Sequence, residues 1–311
     1  MAYLFVHFRE TYGTEGEQVY FSVSRDGYHW EIVNHGEAVL IADKGDLGVR
    51  DIVIARTKEN SFVILATDLA LRRNEETKYH GHIRNAFTEG SKCLAMWKSN
   101  NLVDWSEEIL LDLSGNKLGC LWAPGIFYDE DSDDFIVHWS ATCKDDNYSG
   151  LSIYYSRTKD FESFSEAELF YKKKDSETLD SCIAKEDGIY HFFVKSAQNP
   201  KAVIHETSAS LFGPYQRDER FDEQMNRIEL KETYEAPTFF RLSDGKLCFL
   251  MDFYGCKKKE DQGYVPYIAE SLSDIHLNSA KEKFTFPYGF KHGTVLEITD
   301  EEYKRILDKY N

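Results

Sequence analysis

The chain has 311 residues, 42% of them hydrophobic and 14% aromatic, and a formal net charge of −17. That charge argues against nucleic acid, whose binding needs clustered Lys and Arg. It also repels polyanionic substrates at long range, so a neutral ligand is favoured. No apolar run approaches the length that spans a bilayer, so no membrane partner is expected.

In chain order, the first strand pattern is Tyr3-Leu4-Phe5-Val6-His7-Phe8. It is too short for the apolar region of a signal peptide and lacks a basic start and a cleavage site. A second pattern covers residues 18 to 33 and contains Ser24-Arg25-Asp26-Gly27-Tyr28-His29-Trp30.

Four segments that begin alike follow. Each opens with a short apolar strand, crosses an acidic or Gly-containing turn and resumes as a strand rich in aromatic and β-branched residues. The first opens at Asp51-Ile52-Val53-Ile54-Ala55 and resumes at Phe62. The second opens at Trp122-Ala123-Pro124-Gly125-Ile126 and resumes at Phe135. The third opens at Leu179-Asp180-Ser181-Cys182-Ile183 and resumes at Ile189. The fourth opens at Tyr234-Glu235-Ala236-Pro237-Thr238 and resumes at Leu247. A fifth opening, Lys291-His292-Gly293-Thr294-Val295, has no room for a second strand before the end.

The outer strands repeat too. The run from Val23 to Trp30 resembles Trp97 to Trp105, with degenerate copies at Tyr155 to Phe161 and Glu206 to Tyr215. In each, a strand ending in Ser or Thr turns and meets an aromatic residue. Two long loops stand out. Arg72 to Gly90, with His80, His82, Arg84 and Asn85, is expected to border a pocket. Cys256 to Gly263, with Lys257, Lys258, Lys259, Glu260 and Asp261, is expected to be solvated surface. Thr299 and Glu302 form a capping-box pattern ahead of Tyr303, Ile306, Leu307 and Tyr310 on one helical face, so a short closing helix is expected.

The openings are spaced regularly, at 72, 57, 55 and 57 residues from Asp51 to Ala123, Asp180, Glu235 and His292. Periods of this size filled with strand signals mean radial repetition of small sheets. Four blades span about 51 to 113, 120 to 171, 178 to 217 and 233 to 286. Pairing 291 to 298 with the N-terminal strands completes a fifth blade and removes free edges. The expected fold is all-β, a five-bladed propeller closed by its two chain ends, forming a single domain over 1–311. The six cysteines are scattered without CxxC spacing, which suits a reducing, cytoplasmic home.

The first strand of each blade lines the axis of such a ring. Asp51, Asp180 and Glu235 are read as equivalent positions, so three carboxyl groups should meet at one mouth. Glycoside cleavage with inversion needs an ionised carboxylate to activate water and a protonated carboxyl to protonate the leaving oxygen. A third acid raises the donor's pKa by repulsion.

The openings resemble glycoside hydrolase family 43, the five-bladed propellers that include arabinofuranosidases, xylosidases and arabinanases. Val49-Arg50-Asp51-Ile52 is similar to the family's base strand and Trp122-Ala123-Pro124 to its Trp-Ala-Pro strand. Leu179-Asp180-Ser181 is similar to its modulator strand, Tyr234-Glu235-Ala236-Pro237 to its acid strand and Lys291-His292-Gly293-Thr294 to its axial His strand. The resemblance implies Asp51 as base, Asp180 as pKa modulator and Glu235 as acid. It implies no required cofactor, and at most a hydrated calcium on the axis reached by His292 through water. The chain departs from the pattern at Ile52, usually Pro, and at Gly125, often acidic.

Three flanking residues keep two readings each. Arg50 either holds a substrate hydroxyl or pairs with an acid. Trp122 either stacks on the sugar or packs in the core. His292 either faces substrate and the axis or is a hydrogen-bonded core residue. The reading that joins these features is an inverting, exo-acting hydrolase that frees a terminal pentose from neutral oligosaccharides. An α-L-arabinofuranoside leads, with a β-D-xyloside as alternative. The rivals are a non-catalytic sugar-binding propeller and a retaining hydrolase of a related propeller.

Overall fold

The computed structural model describes residues 1–287 and 289–311, and the side chain of Glu260 lies outside the described residues with Tyr288. The closing blade begins with β1 (Ala2–His7), β2 (Tyr20–Ser24) and β3 (Trp30–Ile32). Blade one is β4 (Val49–Arg56), β5 (Phe62–Asp68), β6 (Cys93–Ser99) and β7 (Ile109–Asp112). Blade two is β8 (Trp122–Asp129), β9 (Asp134–Ala141), β10 (Ser152–Thr158) and β11 (Glu168–Tyr171). Blade three is β12 (Thr178–Glu186), β13 (Ile189–Ser196), β14 (Ala202–Ser208) and β15 (Gln216–Arg217). Blade four is β16 (Tyr234–Arg241), β17 (Leu247–Phe253) and β18 (Gly263–Ala269), and β19 (Gly293–Ile298) returns to the closing blade.

Each blade is an antiparallel sheet in chain order, except that β19 takes the inner place beside β1. Its register runs from Ala2 opposite Ile298 to His7 opposite Gly293. Inner strands touch in the sequence β4, β8, β12, β16, β19 and back to β4, which is a closed five-membered ring. Blade four lacks a fourth strand among the described residues, and a bridge from Tyr267 to Ser279 takes that place.

The outer-strand repeat has a physical cause. Ser24, Ser99 and Thr158 each accept from the N–H three residues on, at Gly27, Leu102 and Phe161, over 2.9–3.0 Å. Those three residues all have positive φ, which the side-chain hydrogen bond supports. The indoles of Trp30 and Trp105 donate back to the Gly27 and Leu102 carbonyls, which locks each turn under its aromatic ring.

The cores lie between blades. Leu4, Val6 and Phe21 of the closing blade pack on Ile52, Ile54, Ile64 and Trp97 of blade one. The C-terminal helix Asp300–Tyr310 seals this cluster with Tyr303 and Ile306. Its capping box is formed as expected, and Glu302 also pairs with Arg56 over 2.8 Å. Three helices escaped the sequence reading, the single turns Leu71–Asn74 and Ala86–Glu89 and a longer one. Glu219–Met225 is capped by Asp218, and at seven residues it is too short to show a helical period.

The closure makes a prediction. Removing residues 291–311 strips β1 of its inner partner and bares a strand edge. The truncated chain should lose the single cooperative thermal transition of the parent, followed by circular dichroism. A melt indistinguishable from the full chain would contradict the closure.

Candidate active site

One irregularity, repeated four times, builds the mouth of the ring. Pairing between first and second strands slips at Arg50/Val53, Trp122/Gly125, Leu179/Cys182 and Glu235/Thr238. The first residue inside each slip is Asp51, Ala123, Asp180 and Ala236, with φ between 48° and 54°. Such left-handed backbone is sparsely allowed for residues with a Cβ, and a bulge of this kind re-aims side chains. The equivalent of Asp51 and Asp180 in blade four is therefore Ala236, and Glu235 stands one residue earlier. Counted to Ala236, the spacings of 55 and 57 on either side of Glu235 become 56 and 56.

The bulges free backbone N–H groups, and each is taken by the preceding blade. Ala123 N–H donates to Thr67 Oγ1 over 2.7 Å, and Thr67 donates in turn to Asp51 Oδ2 over 2.8 Å. Asp180 N–H donates to Ser140 over 3.1 Å, and Ala236 N–H to Asp180 Oδ2 over 3.3 Å. His292 N–H donates to Asp252 Oδ2 over 3.1 Å, and Ile52 N–H to the His292 carbonyl over 3.3 Å. A circle of hydrogen bonds thus runs through all five blades at the level of the acids.

Asp51, Asp180, Glu235 and His292 meet on this circle. His292 Nδ1 lies 3.0 Å from Asp51 Oδ1. Burial alone would push the Asp51 carboxyl up. The His292 cation, its hydrogen bond, Arg50 and Thr67 outweigh burial and hold Asp51 below the usual range. Burial pushes Asp180 up to about 6, with Asp51 adding repulsion against the pull of His292. Burial pushes Glu235 up to about 8, with Asp180 and Asp252 adding to it and Lys291 and His292 opposing. For His292 burial acts downward, yet Asp51 and Asp180 raise it to about 9, so it is charged at neutral pH. Three carboxyls in one mouth are thereby sorted into an ionised one, an intermediate one and a protonated one.

Behind them sits a charge pair that the sequence reading passed over. Lys291 Nζ is 2.8 Å from Asp252, and both side chains are buried, at 3% and 0% exposure. Lys195, also buried, donates to the Glu232 and Tyr234 carbonyls just before Glu235. Thr67, Ser140, Lys195 and Asp252 are separated by 73, 55 and 57 residues, so the period that located the openings also marks them.

The remaining expected residues are placed as follows. Arg50 is committed to Glu17 at 2.8 Å and Glu10 at 3.2 Å, with its guanidinium 4.4 Å over the Phe8 ring. Trp122 is half-buried against Leu69 and Tyr79 and meets Phe87 edge-on at 5.3 Å. Phe87 belongs to the loop over residues 72–90, so that loop packs against Trp122. Lys259 of the second loop is not merely solvated, because it pairs with Glu10.

Below the acids the axis holds a cavity of about 170 Å³, lined by Ile52, Gly125, His138, Ser181, His292 and Thr294 among others. A Cβ on Gly125 would stand 2.2 Å from His138 Cε1, so the imidazole takes the place of a side chain there. His138 hydrogen-bonds Ser181 over 2.7 Å, and burial keeps it neutral, pushing it down to about 3. Calcium takes six to eight oxygen ligands. This lining brings the hydroxyls of Ser181, Thr238 and Thr294, the Cys182 thiol, a neutral imidazole and a cationic one but no carboxylate, and no cluster of three metal-binding side chains occurs among the described residues. The residues fit calcium poorly, and no step below passes through a metal.

Two outcomes follow for stability. Lys291→Met leaves Asp252 buried without its cation and should cost about 3–5 kcal/mol in chemical denaturation. Glu235 binds its proton more tightly folded than unfolded, so it destabilises progressively as pH rises from its ordinary 4.5 to about 8. Glu235→Gln should therefore melt at higher temperature than the parent above pH 8 and match it near pH 4. The same melting temperature for both proteins above pH 8 would contradict the raised pKa.

Residues 1–304 match the family described as "Probable glycosyl hydrolase domain", a relative of glycoside hydrolase family 43. An α-L-arabinofuranosidase of Bifidobacterium longum subsp. longum is 25% identical over 209 residues, which is 61% of this chain and 19% of that protein. A xylan β-1,4-xylosidase of Bacillus halodurans superposes with a TM-score of 0.59 at 16% identity, over 88% of this chain and 52% of that one. An endo-1,4-β-xylanase of Bacteroides thetaiotaomicron gives 0.62 at 13% identity, over 93% and 94%. The chain thus spans about a fifth of the arabinofuranosidase and about half of the xylosidase. At these identities the solved structures speak for the fold. With the family match over nearly every residue and the five-bladed ring closed as the openings predicted, the chain belongs to the glycoside hydrolase family 43 group of propeller domains.

Proposed function

We propose that this chain is an inverting glycoside hydrolase acting at the mouth formed by Asp51, Asp180 and Glu235. The observation that carries the reading is the opposite protonation of two acids on one circle. Asp51 is held ionised by its His292 partner, while Glu235 keeps its proton up to about pH 8. A general base and a general acid for the same pH range are the requirement of glycoside cleavage.

In the proposed step a water attacks the anomeric carbon from the Asp51 side and gives its proton to that carboxylate. The bond to the leaving oxygen breaks, its electron pair stays on that oxygen, and Glu235 supplies the proton. Asp180 has two effects. Its carboxyl repels ionisation of Glu235, and it fixes the Ala236 N–H beside the acid. His292 orients Asp51 and prevents it from protonating early. Exchange with solvent returns a proton to Glu235 and removes one from Asp51.

The substrate we propose is a neutral oligosaccharide with a terminal α-L-arabinofuranosyl unit, in line with the sequence relative. A terminal β-D-xylosyl unit is the alternative, since both pentoses present similar geometry to one pocket. The six cysteines are all unpaired, which suits the cytoplasmic location we propose.

The test uses 4-nitrophenyl α-L-arabinofuranoside and 4-nitrophenyl β-D-xyloside. Asp51→Asn and Glu235→Gln should each lower kcat/KM by about 10²–10⁴-fold, the usual scale of acid–base catalysis. The wild-type rate should fall on the alkaline side near pH 8, as Glu235 loses its proton. NMR should show the first-formed sugar with inverted configuration. Equal rates in all three proteins would reject the enzyme reading, and a retained anomer would reject the mechanism.

A further inference from the structure

Four second-strand residues face the openings of the ring: Thr67, Ser140, Lys195 and Asp252, paired opposite Arg50, Trp122, Leu179 and Glu235. Three of them accept a backbone N–H from the next blade, those of Ala123, Asp180 and His292. Lys195 has no acceptor atom and reverses the polarity. Its Nζ donates to the Glu232 carbonyl over 2.7 Å and the Tyr234 carbonyl over 2.6 Å. The N–H of Ala236, which would otherwise find that partner, goes to the Asp180 carboxylate instead.

The carbonyls that Lys195 grips belong to the approach to Glu235. That approach is irregular. After the helix Glu219–Met225 the chain passes through Leu230 in the left-handed region and a single turn over Lys231–Thr233 before β16 begins. Tyr254, at the end of β17, also donates to the Glu232 carbonyl, over 3.1 Å. The Lys195 ammonium lies 5.8 Å over the Tyr254 ring. The Glu235 side chain itself accepts no hydrogen bond from the described residues, so the backbone before it must fix its place.

We propose that Lys195 is the positioning residue of the acid: it clamps the two carbonyls that lead into Glu235 and adds its charge to those of Lys291 and His292 around that carboxyl. The proposal rests on the reading of Glu235 as general acid. The groups around Glu235 are Asp180 of β12, Lys195 of β13, Asp252 and Tyr254 of and beside β17, Glu232, Lys291 and His292. Lys195 donates to the carbonyl of the Tyr234–Glu235 peptide, while Asp180 accepts from the N–H on the other side of the acid. Burial pushes its ammonium down to about 8, while Glu235 and Asp180 pull the other way, so the three groups share one electrostatic setting. A clamp of this type acts on kcat more than on KM, because misplacing a reacting group by about 1 Å can cost on the order of 10²-fold in rate.

The experiment compares wild type, Lys195→Met, Lys195→Arg and Glu235→Gln in the full chain. Rates on the two nitrophenyl glycosides are followed across pH. Lys195→Met should lower kcat at least tenfold on that scale with KM little changed. Its alkaline limb should move to higher pH, because Glu235 loses a neighbouring cation. Lys195→Arg should restore most of both. A Lys195→Met enzyme whose kcat and limb match wild type overturns the proposal, whatever its melting temperature. A second readout needs no substrate. The difference in melting temperature between proteins with Glu235 and with Gln at 235 reports that carboxyl's proton as pH rises. Lys195→Met should shift this difference to higher pH. If wild type cleaves neither glycoside while the shift appears, the enzyme reading fails and the charge coupling stands. If wild type cleaves and no shift appears, Lys195 is a structural residue only.

Discussion

The structure depends on keeping several carboxyl groups buried around one axis without letting them repel each other apart. Asp51, Asp180, Glu235 and Asp252 share the mouth with His292, Lys291 and Lys195. Removing a charge from water is costly unless it is paired and hydrogen-bonded. Asp252 has Lys291, and Asp51 has His292 and Thr67. Among the described residues Glu235 has neither a paired cation in contact nor a side-chain hydrogen bond, and it answers burial by keeping a proton. The state that the fold prefers electrostatically is therefore the state an acid catalyst must start from. The same arithmetic explains why the proton sits on Glu235 rather than Asp51. His292 is charged because Asp51 is, and either group would lose its partner if the proton moved.

The hydrogen-bond circle makes this charge arrangement a property of the ring. Each bulge places a residue in left-handed backbone and offers an N–H to the blade before it. Strained positions of this kind persist only where the surroundings over-determine them. Here a bulge in one blade is held by a hydroxyl, a carboxylate or a carbonyl in another, so no blade can adjust by itself. Closure by β19 is part of the same logic. His292 precedes β19, gives its N–H to blade four, its ring to Asp51 and its carbonyl to Ile52. The residue that leads into the closing strand thereby also holds Asp51 ionised.

Much of this was legible in the residues. The openings at Asp51, Asp180 and His292, the pairing of the chain ends and the Thr299 cap follow from short-range patterns and a steady period. The frame of Glu235 was not, because Glu-Ala-Pro and Asp-Ser-Cys align by chemistry while the backbone aligns Ala236 with Asp180. Lys195, Asp252 and Lys291 were hidden for another reason. Each lies within or beside an apolar strand run, where a lone charge looks like a strand end. Its meaning comes from a partner on a neighbouring blade, 37 to 39 residues away. Spacing could still have found Thr67, Ser140, Lys195 and Asp252, since they recur with the period of the openings.

Gly125 shows how one departure from the family pattern is compensated. A carboxylate there and an imidazole at 138 would compete for the same volume, since even a Cβ would overlap the His138 ring. The ring instead closes its axis with a neutral imidazole tied to Ser181. Neutrality matters because His138 lies below the charged level, where a second cation would oppose His292 and weaken its hold on Asp51. Burial supplies that neutrality, holding His138 far below the pH at which it would charge. The axis is thus layered, with a neutral imidazole beside a small cavity beneath and a balanced set of charges above. Introducing an acid at 125 would break the layering twice, by expelling the imidazole and by giving His292 a further carboxylate beside Asp51 and Asp180.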